Sequence, residues 1–325
     1  MKKRVLITGV TGFAGSHLLD LLVSKAKYEL YGIIRERSSL ERIDHNVHSL
    51  SLISCDLVNS GSVFNIIKEI KPDYIYHLAG ESSVKLSWGG PFSSVNNNIV
   101  ATLNILEALR SVDDKEAKIL LACSSEEYGL VSEEDIPIKE ETPLKPASPY
   151  AVTKVAVDMF GFQYYSSYGI KVIRTRAFNH TGPRRDEVYA LSSFAKQIAE
   201  VEKGIKENKI YVGNLSAIRD YTDVRDVVRG YKLAMEHCEP GDVYNLCSSK
   251  GYKIGNLLEI LIGLSKLHIE IVQNEERFRP VDLPIIVGDN SKFVKITLWK
   301  PQVSIEHTLQ DLLNYWHKQL RTADR

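Results

Sequence analysis

Two residues, Tyr150 and Lys154, have the types and the spacing of an acid–base catalytic pair. Ser148 and Pro149 precede them, and serine is a favoured N-cap while proline suits the first helical position. The sequence therefore predicts a helix that begins here and carries both side chains on one face, one turn apart. We expect the ammonium to favour the phenolate and to lower the pKa of Tyr150 towards working pH. The same pair also occurs on solvated helix faces, so it needs support from elsewhere in the chain.

Three glycines near the start of the chain provide that support. Gly9, Gly12 and Gly15 follow an apolar run at 5–7 and precede an amphipathic stretch over 17–23. This order predicts a strand, a tight turn and a helix. Such a turn lets the backbone approach a pyrophosphate, and the helix N-terminus points free N–H groups at its charge. A glycine-rich turn can be only a turn, but the flanking strand and helix favour dinucleotide binding.

The end of the second predicted strand, over 29–34, bears on which dinucleotide binds. An acidic residue about 20 positions beyond the glycines would bind an NAD ribose, whereas a cation suits the 2′-phosphate of NADP. Arg35 occupies this position and Glu36 follows it. Arg35 therefore favours NADP(H), and Glu36 leaves NAD(H) open.

Further apolar runs predict the rest of the sheet. They lie at 50–54, 74–78, 119–123 and 172–175, with helical stretches between them. Strand alternating with helix indicates an α/β fold with a parallel, doubly wound sheet.

The composition agrees with a globular enzyme. The chain has 325 residues, 44% of them hydrophobic, which is enough for one large core or two unequal ones. Its 41 basic residues balance 41 acidic ones without an evident basic patch, so we expect no nucleic-acid partner. The first four residues lead straight into a short strand, and no apolar stretch approaches the length of a membrane span. We therefore expect a cytoplasmic protein with no membrane partner.

Cysteine and histidine give no sign of a metal site. The four cysteines, at positions 55, 123, 238 and 247, lack metal-ligand spacing and fall in or beside expected core elements. They are predicted to be reduced and buried. The nine histidines form no ligand cluster in the sequence, and His77, at a strand end, is expected to be structural.

The combined motifs resemble those of the extended short-chain dehydrogenases/reductases that act on nucleotide sugars, and the resemblance covers nearly the whole chain. Besides the glycine turn and the Tyr150 to Lys154 pair, the matching segments are Asp56-Leu57, His77-Leu78-Ala79-Gly80 and Ser124-Ser125-Glu126-Glu127-Tyr128-Gly129. Ala101 departs from the glycine that the family has in its Asn-x-x-Gly-Thr helix, a change that affects helix packing more than chemistry.

The resemblance implies a Rossmann sheet with a smaller, interleaved C-terminal α/β substrate lobe. The NADP-binding domain would comprise 1–177 with a return segment at 218–247, and the nucleotide-sugar domain 178–217 and 248–325. The cofactor would contact Gly9, Gly12, Phe13, Ala14, Gly15, Arg35, Asp56, Leu57, Leu78, Ala79, Gly80, Tyr150 and Lys154. Helices expected over 95–111 and 149–167 carry broad apolar faces, which in this family pair into the four-helix bundle of a homodimer. A broad apolar face is equally compatible with plain core.

The C-terminal half most resembles the branch of the family that handles GDP-mannose derivatives, through segments at 178–185, 212–226 and 277–282. A sugar diphosphate needs cations and amide donors that converge from separate loops. The resemblance implies substrate contacts from Ser82, Ser125, Asn179, Arg184, Lys196, Asn214, Arg219, Arg279 and Asp282. For Arg219, a surface salt bridge with Asp220 or Asp226 is the alternative.

Two reactions fit the catalytic residues that the resemblance implies, which are Ser124, Glu126, Tyr150 and Lys154. In a reductase, Tyr150 protonates the C4 oxygen of GDP-4-keto-6-deoxy-mannose and NADPH supplies the hydride, which gives a GDP-6-deoxyhexose of the GDP-rhamnose type. In a GDP-mannose 4,6-dehydratase, Glu126 helps to expel water across C5 and C6.

Some segments favour the reductase and others favour the dehydratase. The Phe13-Ala14 pair, where dehydratases commonly carry Gln-Asp, favours the reductase, as do the form of 219–224 and the short segment before Arg279. Glu126 and the segments 35–39 and 183–185 favour the dehydratase. A 4-epimerase ranks third. The alternative outside enzymes is a regulatory protein that binds NADP(H), although such proteins usually lose the tyrosine or the lysine.

Overall fold

The computed structural model describes residues 2–112, 116–265, 267–278 and 281–322. Its largest element is a parallel sheet of seven strands. They are β1 (Lys3–Thr8), β2 (Tyr28–Ile34), β3 (Ser51–Ser54), β4 (Tyr74–His77), β5 (Lys118–Ser124), β6 (Lys171–Ala177) and β10 (Val243–Leu246). Their order across the sheet is β10-β6-β5-β4-β1-β2-β3. The central strands are apolar and buried on both faces because helices cover both sides of the sheet.

Helices on the two faces of the sheet form two separate cores. One core contains α1 (Phe13–Val23) and α8 (Val224–His237), and α10 (Ser291–Thr297) adds Phe293 to it. The other contains α2 (Ser60–Ile70), α5 (Ala101–Ser111) and α6 (Pro149–Tyr168). The chain reaches α5 through α3 (Val84–Gly89), α4 (Pro91–Ser94) and a π-helical segment, Val95–Val100.

A smaller lobe stands beyond the carboxyl ends of the parallel strands. Its mixed sheet joins β7 (Asn179–Thr181), β9 (Ile218–Asp223), β11 (Gly251–Lys253) and β13 (Ile285–Ile286), and a two-stranded sheet joins β8 (Lys209–Val212) to β12 (Glu270–Gln273). Its helices are α7 (Ala190–Glu202), α9 (Ile254–Leu264) and α11 (Ile305–Thr322), which share a third apolar core.

The predicted doubly wound parallel sheet is confirmed, and each predicted strand lies within one or two residues of an observed one. The expected return segment began at 218, but β9 belongs to the smaller sheet. The chain returns to the large sheet only with α8 and β10. The division into a cofactor domain and a substrate domain stays a prediction.

Two further expectations concern the cysteines and membrane-spanning helices. All four cysteines are free and buried, as predicted. No helix within the described ranges combines the length and the apolar character needed to cross a membrane.

Candidate active site

A cleft opens at the carboxyl ends of β1, β4 and β5, between the large sheet and the smaller lobe. In open α/β sheets, this edge is where ligands bind. From the large sheet and its helices the cleft is lined by Gly9, Gly12, Phe13, Ala14, Gly15, Leu78, Gly80, Ser82, Ser124, Ser125, Glu126, Tyr150, Lys154 and Tyr231. From the lobe it is lined by Asn179, Arg185, Tyr189 and Tyr221, among others. The cleft thus unites the predicted catalytic residues with most of the predicted cofactor residues.

The glycine turn has no space for side chains. Gly9 has a φ of +69°, and a Cβ atom on it would lie 2.8 Å from the Ala79 nitrogen. A Cβ atom on Gly15 would lie 2.1 Å from the Gly9 carbonyl oxygen, and the Gly12 N–H donates to that same oxygen at 2.9 Å. Helix α1 begins directly after Gly12 without a side-chain cap, so the N–H groups of its first turn remain open to a ligand.

Helix α6 begins as the sequence predicts. The Ser148 side chain accepts a hydrogen bond from the Ala151 N–H at 3.1 Å, and Pro149 occupies the first turn. Tyr150 and Lys154 then project from one face of the helix into the cleft. Lys154 Nζ donates to the Ala122 carbonyl oxygen at 2.7 Å and lies 5.9 Å from the centre of the Tyr150 ring.

The Tyr150 pKa shifts in the direction opposite to the expected lowering. Burial raises the pKa of the Tyr150 phenol well above its usual value, although a hydrogen bond with Ser124 opposes this change. Burial also lowers the pKa of Lys154. Burial is the largest influence on this pKa, so Tyr150 is held as a neutral proton donor.

A short 3-10 turn, Ser125–Glu127, follows β5 and orients two candidate residues. Ser124 Oγ accepts the Glu126 N–H at 3.2 Å, and the Glu127 carboxylate accepts the Ser124 N–H at 2.7 Å. Ser124 and Ser125 are buried at the cleft wall, whereas Glu126 is half-buried and borders the cleft.

A chain of buried hydrogen bonds runs beneath the cleft and explains His77. Its ring joins Thr8 Oγ1 at 2.8 Å to Thr102 Oγ1 at 2.9 Å, and burial lowers its pKa to about 3. The chain continues through Asn98 to Thr153, whose hydroxyl donates to the Tyr150 carbonyl oxygen at 2.7 Å. His77 thus has the structural role expected of it, linking β1 and β4 to the base of α6.

Four of the predicted cofactor residues lie outside the cleft lining. Arg35 is exposed after β2, at the sheet edge that bears the glycine turn, and its backbone N–H donates to Ser38 Oγ at 3.0 Å. Asp56 is exposed after β3 and Leu57 is buried there. The Ala79 N–H donates to Thr8 Oγ1 at 3.1 Å.

The structure places Arg185, and not the predicted Arg184, in the cleft. Arg184, the predicted substrate residue, turns away with a φ of +71° and pairs with Asp20 at 2.8 Å. Arg185 lies in the cleft instead, with its guanidinium 3.3 Å from the Tyr189 ring centre and 4.7 Å from that of Phe13. Tyr189, which the sequence analysis missed, also joins its hydroxyl to Ser82 Oγ at 2.6 Å.

The cleft continues into a groove of the smaller lobe that holds three more predicted residues. Asp282 accepts a hydrogen bond from Arg219 at 2.8 Å and another from Asn214 at 2.6 Å. Arg219 therefore pairs with neither Asp220 nor Asp226. The groove shares Asn179 and Tyr221 with the cleft.

One predicted substrate residue, Lys196, stands apart from both cleft and groove, and another, Arg279, lies outside the described residues. Lys196 borders a neighbouring depression, where it pairs with Glu187.

Comparisons with known proteins identify the family. Residues 6–312 match the family described as GDP-mannose 4,6 dehydratase. The chain is 32% identical to a GDP-6-deoxy-D-mannose reductase of Pseudomonas aeruginosa over 99% of each protein. It is also 32% identical to a GDP-mannose 4,6-dehydratase of Vibrio cholerae, over 96% of this chain and 93% of that one.

Solved structures have the same fold. RMD from Pseudomonas aeruginosa, complexed with NADPH, has a TM-score of 0.84 at 31% identity, over 98% of this chain and 100% of that one. A UDP-glucuronic acid 4-epimerase from Bacillus cereus, in complex with UDP-glucuronic acid and NAD, has a TM-score of 0.85 at 27% identity, over 98% and 99%. Because the family matches almost the whole length of this chain, the chain belongs to the GDP-mannose 4,6-dehydratase family of nucleotide-sugar enzymes within the extended short-chain dehydrogenases/reductases.

Proposed function

We propose that this protein reduces the C4 ketone of GDP-4-keto-6-deoxy-mannose to a GDP-6-deoxyhexose of the GDP-rhamnose type, with NADPH as the reductant. The observation that carries the proposal is the convergence of Ser124, Tyr150 and Lys154 on one cleft with the glycine turn. These groups can bind a carbonyl oxygen and protonate it beside a dinucleotide.

The chain's own residues would handle the proton. Burial keeps the Tyr150 hydroxyl protonated, so it can donate to the ketone oxygen as negative charge develops there. The Ser124 hydroxyl hydrogen-bonds with Tyr150 and would share the same substrate oxygen. Lys154, anchored to the Ala122 carbonyl, would hold the cofactor ribose and stabilise the phenolate that the transfer leaves behind.

The glycine turn fits a nicotinamide dinucleotide. A side chain at Gly9 would collide with the backbone of Ala79, and one at Gly15 with that of Gly9. The uncapped start of α1 faces the cleft, as a pyrophosphate requires. When bound, the nicotinamide supplies the hydride. Exposed Arg35 offers a cation for a 2′-phosphate, which favours NADP(H), and Glu36 keeps NAD(H) as the second choice.

The groove in the smaller lobe suits the nucleotide part of the substrate. Arg185 in the cleft and Arg219 in the groove offer cations to a diphosphate, and Asn179 lies between them. Asp282, already fixed by Arg219 and Asn214, offers a carboxylate to the ribose or base.

The alignments favour the reductase over the dehydratase. The reductase relative aligns with this chain over 321 residues and 99% of both proteins. The dehydratase relative needs an alignment of 352 residues to cover 96% of this chain, so it carries segments that this chain lacks. The second candidate is nevertheless a GDP-mannose 4,6-dehydratase, because Glu126 borders the cleft where it could act on a leaving hydroxyl.

The proposal is tested by incubating the purified protein with GDP-4-keto-6-deoxy-mannose and NADPH, and separately with GDP-mannose and NADP⁺. We expect NADPH consumption in the first mixture and no 4-keto product in the second. Formation of the 4-keto sugar from GDP-mannose would overturn the reductase assignment. Interconversion of a nucleotide sugar and its C4 epimer would indicate a 4-epimerase instead.

Two variants sharpen this test. Glu126→Gln should leave a reductase largely active but abolish a dehydratase, because ketone reduction has no hydroxyl to expel. Tyr150→Phe should lower the turnover of either enzyme by about 10²- to 10⁴-fold. Equal and negligible turnover in the wild-type protein and Tyr150→Phe would instead support a regulatory protein that binds NADP(H).

We also infer a homodimer from the exposed face of α6. Val152, Val155, Met159 and Phe162 follow a 3-4-3 spacing, which places them in one stripe, and three of them are exposed apolar side chains. Phe92, 84% exposed, and Val95 continue this apolar surface on the neighbouring helices. A second copy of the chain could cover the stripe as a four-helix bundle.

Light scattering on the eluted protein tests the dimer. We expect twice the chain mass of 36.7 kDa for the wild-type protein and a single chain mass for Met159→Glu. Leu298→Glu changes an apolar residue outside α6 that is 84% exposed, against 43% for Met159, and this variant should remain a dimer. A wild-type protein that elutes at a single chain mass would remove the inference.

A further inference from the structure

Glu127 is a fully buried carboxyl group for which the proposed reaction has no direct use. It ends the 3-10 turn that follows Ser124 and contains Glu126, and its side chain is buried in the protein. Its Oε1 atom accepts the Ser124 N–H at 2.7 Å, while Ser124 Oγ accepts the Glu126 N–H. These reciprocal bonds close a capping box, so the Glu127 side chain fixes the backbone that positions both cleft residues.

The other oxygen of Glu127 faces helix α6. A carboxylate oxygen of Glu127, one of Asp158 and the Cys123 sulfur all lie within 4.8 Å of one another. Asp158 is fully buried and lies one turn beyond Lys154 and two turns beyond Tyr150. The two carboxyl groups therefore connect the turn after β5 to the helix that carries the proton donor.

The positive charges around this pair come from β6. Arg176 Nε lies 2.8 Å from Asp158 Oδ2 and 3.2 Å from Glu127 Oε2, and Arg174 binds the other Asp158 oxygen. The arginine N–H is directed at Asp158, so Glu127 Oε2 stays buried without a hydrogen-bond donor among the described residues. Two guanidinium groups already occupy the surroundings of the carboxyls, which makes this cluster unsuitable for a metal ion.

A proton on Glu127 Oε2 satisfies this geometry. Burial and the neighbouring Asp158 charge raise the pKa of the Glu127 carboxyl, while Arg176 opposes the rise. The other titratable groups that interact with it are Cys123 on β5, Tyr128 directly after the turn, and Lys154 and Tyr150 on α6; burial raises the pKa of the cysteine and of both tyrosines, so these three groups are neutral. As a neutral acid, Glu127 would donate to the Asp158 carboxylate and accept from Ser124 at the same time.

We propose that Glu127 is a positioning residue whose carboxyl group, bonded to Ser124 on one side and to Asp158 on the other, sets the distance between Ser124 and Tyr150. This inference rests on the proposed function for its kinetic consequences. A displacement of about 1 Å at a reacting group costs on the order of 10²-fold in rate, so a rigid link between the two elements matters to catalysis.

Matched variants test the link. Glu127→Gln keeps an acceptor for the Ser124 N–H and a donor for Asp158, and it should keep kcat within about threefold of wild type. Glu127→Leu keeps the volume but removes both bonds, and it should lower kcat by about 10²-fold while KM and the NADPH dissociation constant change little. Glu107→Leu, on the exposed side of α5, is the control for loss of a carboxyl group.

Other kinetic outcomes would overturn the proposal. If Glu127→Leu keeps near wild-type kcat, the carboxyl group does not position Ser124. If Glu127→Gln is as slow as Glu127→Leu, the link depends on an ionised carboxylate and the shared proton is wrong. If Glu127→Leu fails to fold, the comparison of Glu127→Gln with wild type still decides whether the link requires an ionised carboxylate.

An infrared measurement separates this proposal from the proposed function. At about pH 8, the difference spectrum between wild type and Glu127→Gln should contain the C=O band of a protonated carboxyl group, because exposed carboxyls are ionised there. The band is expected whether or not the protein reduces the proposed sugar. Absence of the band would refute the shared proton. Its presence in a protein without turnover would mean that the proposed function is wrong and the shared proton is right.

Discussion

Lys154 donates a hydrogen bond from its ammonium group to the carbonyl oxygen of Ala122 at 2.7 Å. This bond ties α6 to β5 and holds the lysine 5.9 Å from the centre of the Tyr150 ring. Burial lowers the pKa of Lys154 and raises that of Tyr150. As the pH rises, the lysine therefore loses its proton at a lower pH than the tyrosine does.

The alkaline limb of the pH–rate profile should consequently report Lys154. We expect Lys154→Met to lower kcat by about 10²-fold and to move the remaining alkaline limb to higher pH, where Tyr150 ionises. The measurement is kcat/KM from about pH 6 to about pH 10 for both proteins. An alkaline limb that stays in place in Lys154→Met would show that another group produces it.

The sequence predicted the large sheet well because its signals are local. The apolar runs of β1 to β6, the glycine turn and the Ser148 cap each act over a few residues, and the structure has all of them. The pKa of Tyr150 could not be predicted in this way, since it depends on how completely the folded lobe removes solvent from the phenol.

Arg184 and Arg185 also show that local sequence signals do not reveal tertiary contacts. Arg184 and Arg185 are chemically identical in the sequence, and only the positive φ of Arg184 turns one of them away from the cleft. A similar reason applies to Asp282, which approaches Arg219 across 63 residues of chain through the pairing of β13 with β9. No local pattern carries that information.

The different positions of Arg184 and Arg185 predict different effects of their substitution on ligand binding. Arg185→Ala should weaken the binding of substrate or dinucleotide by about 10- to 100-fold, because a charge-assisted hydrogen bond contributes about 1.5–3 kcal/mol. Arg184→Ala removes only the partly exposed pair with Asp20 and should change binding less than about threefold. Dissociation constants for NADPH and for GDP measure both effects. Equal losses in the two variants would contradict the assignment of Arg185 to the cleft.

The third glycine of the turn gives a prediction on cofactor binding. The added methyl group of Gly15→Ala would meet the Gly9 carbonyl oxygen at 2.1 Å, so the turn must open. We expect NADPH binding to fall by more than about tenfold, which equals about 1.4 kcal/mol. Gly263→Ala, in α9, meets nothing within 4 Å and should leave binding unchanged while stabilising the helix by about 1 kcal/mol. Fluorescence titration with NADPH compares the two, and unchanged affinity in Gly15→Ala would contradict the role of the turn.

The contact between α1 and the smaller lobe makes stability sensitive to acid. His17 Nε2 donates to the Pro183 carbonyl oxygen at 2.9 Å, and burial lowers the pKa of this histidine to about 4. Arg184 lowers it further, whereas Asp20 and Asp223 oppose the change. The depressed pKa means that the folded protein resists protonation of His17, so this stability is present above the unfolded pKa of about 6.5 and is lost as the pH falls towards 4.

At about pH 5 the loss from His17 alone should reach about 2 kcal/mol of unfolding free energy. His17→Gln keeps a donor for the Pro183 carbonyl but cannot be protonated, so its free energy of unfolding should decline less between pH 7 and pH 5 than that of wild type. Urea unfolding of both proteins at the two pH values measures the difference. His45→Gln changes an exposed histidine and serves as the control. Parallel pH dependences of wild type and His17→Gln would mean that the smaller lobe does not keep His17 neutral.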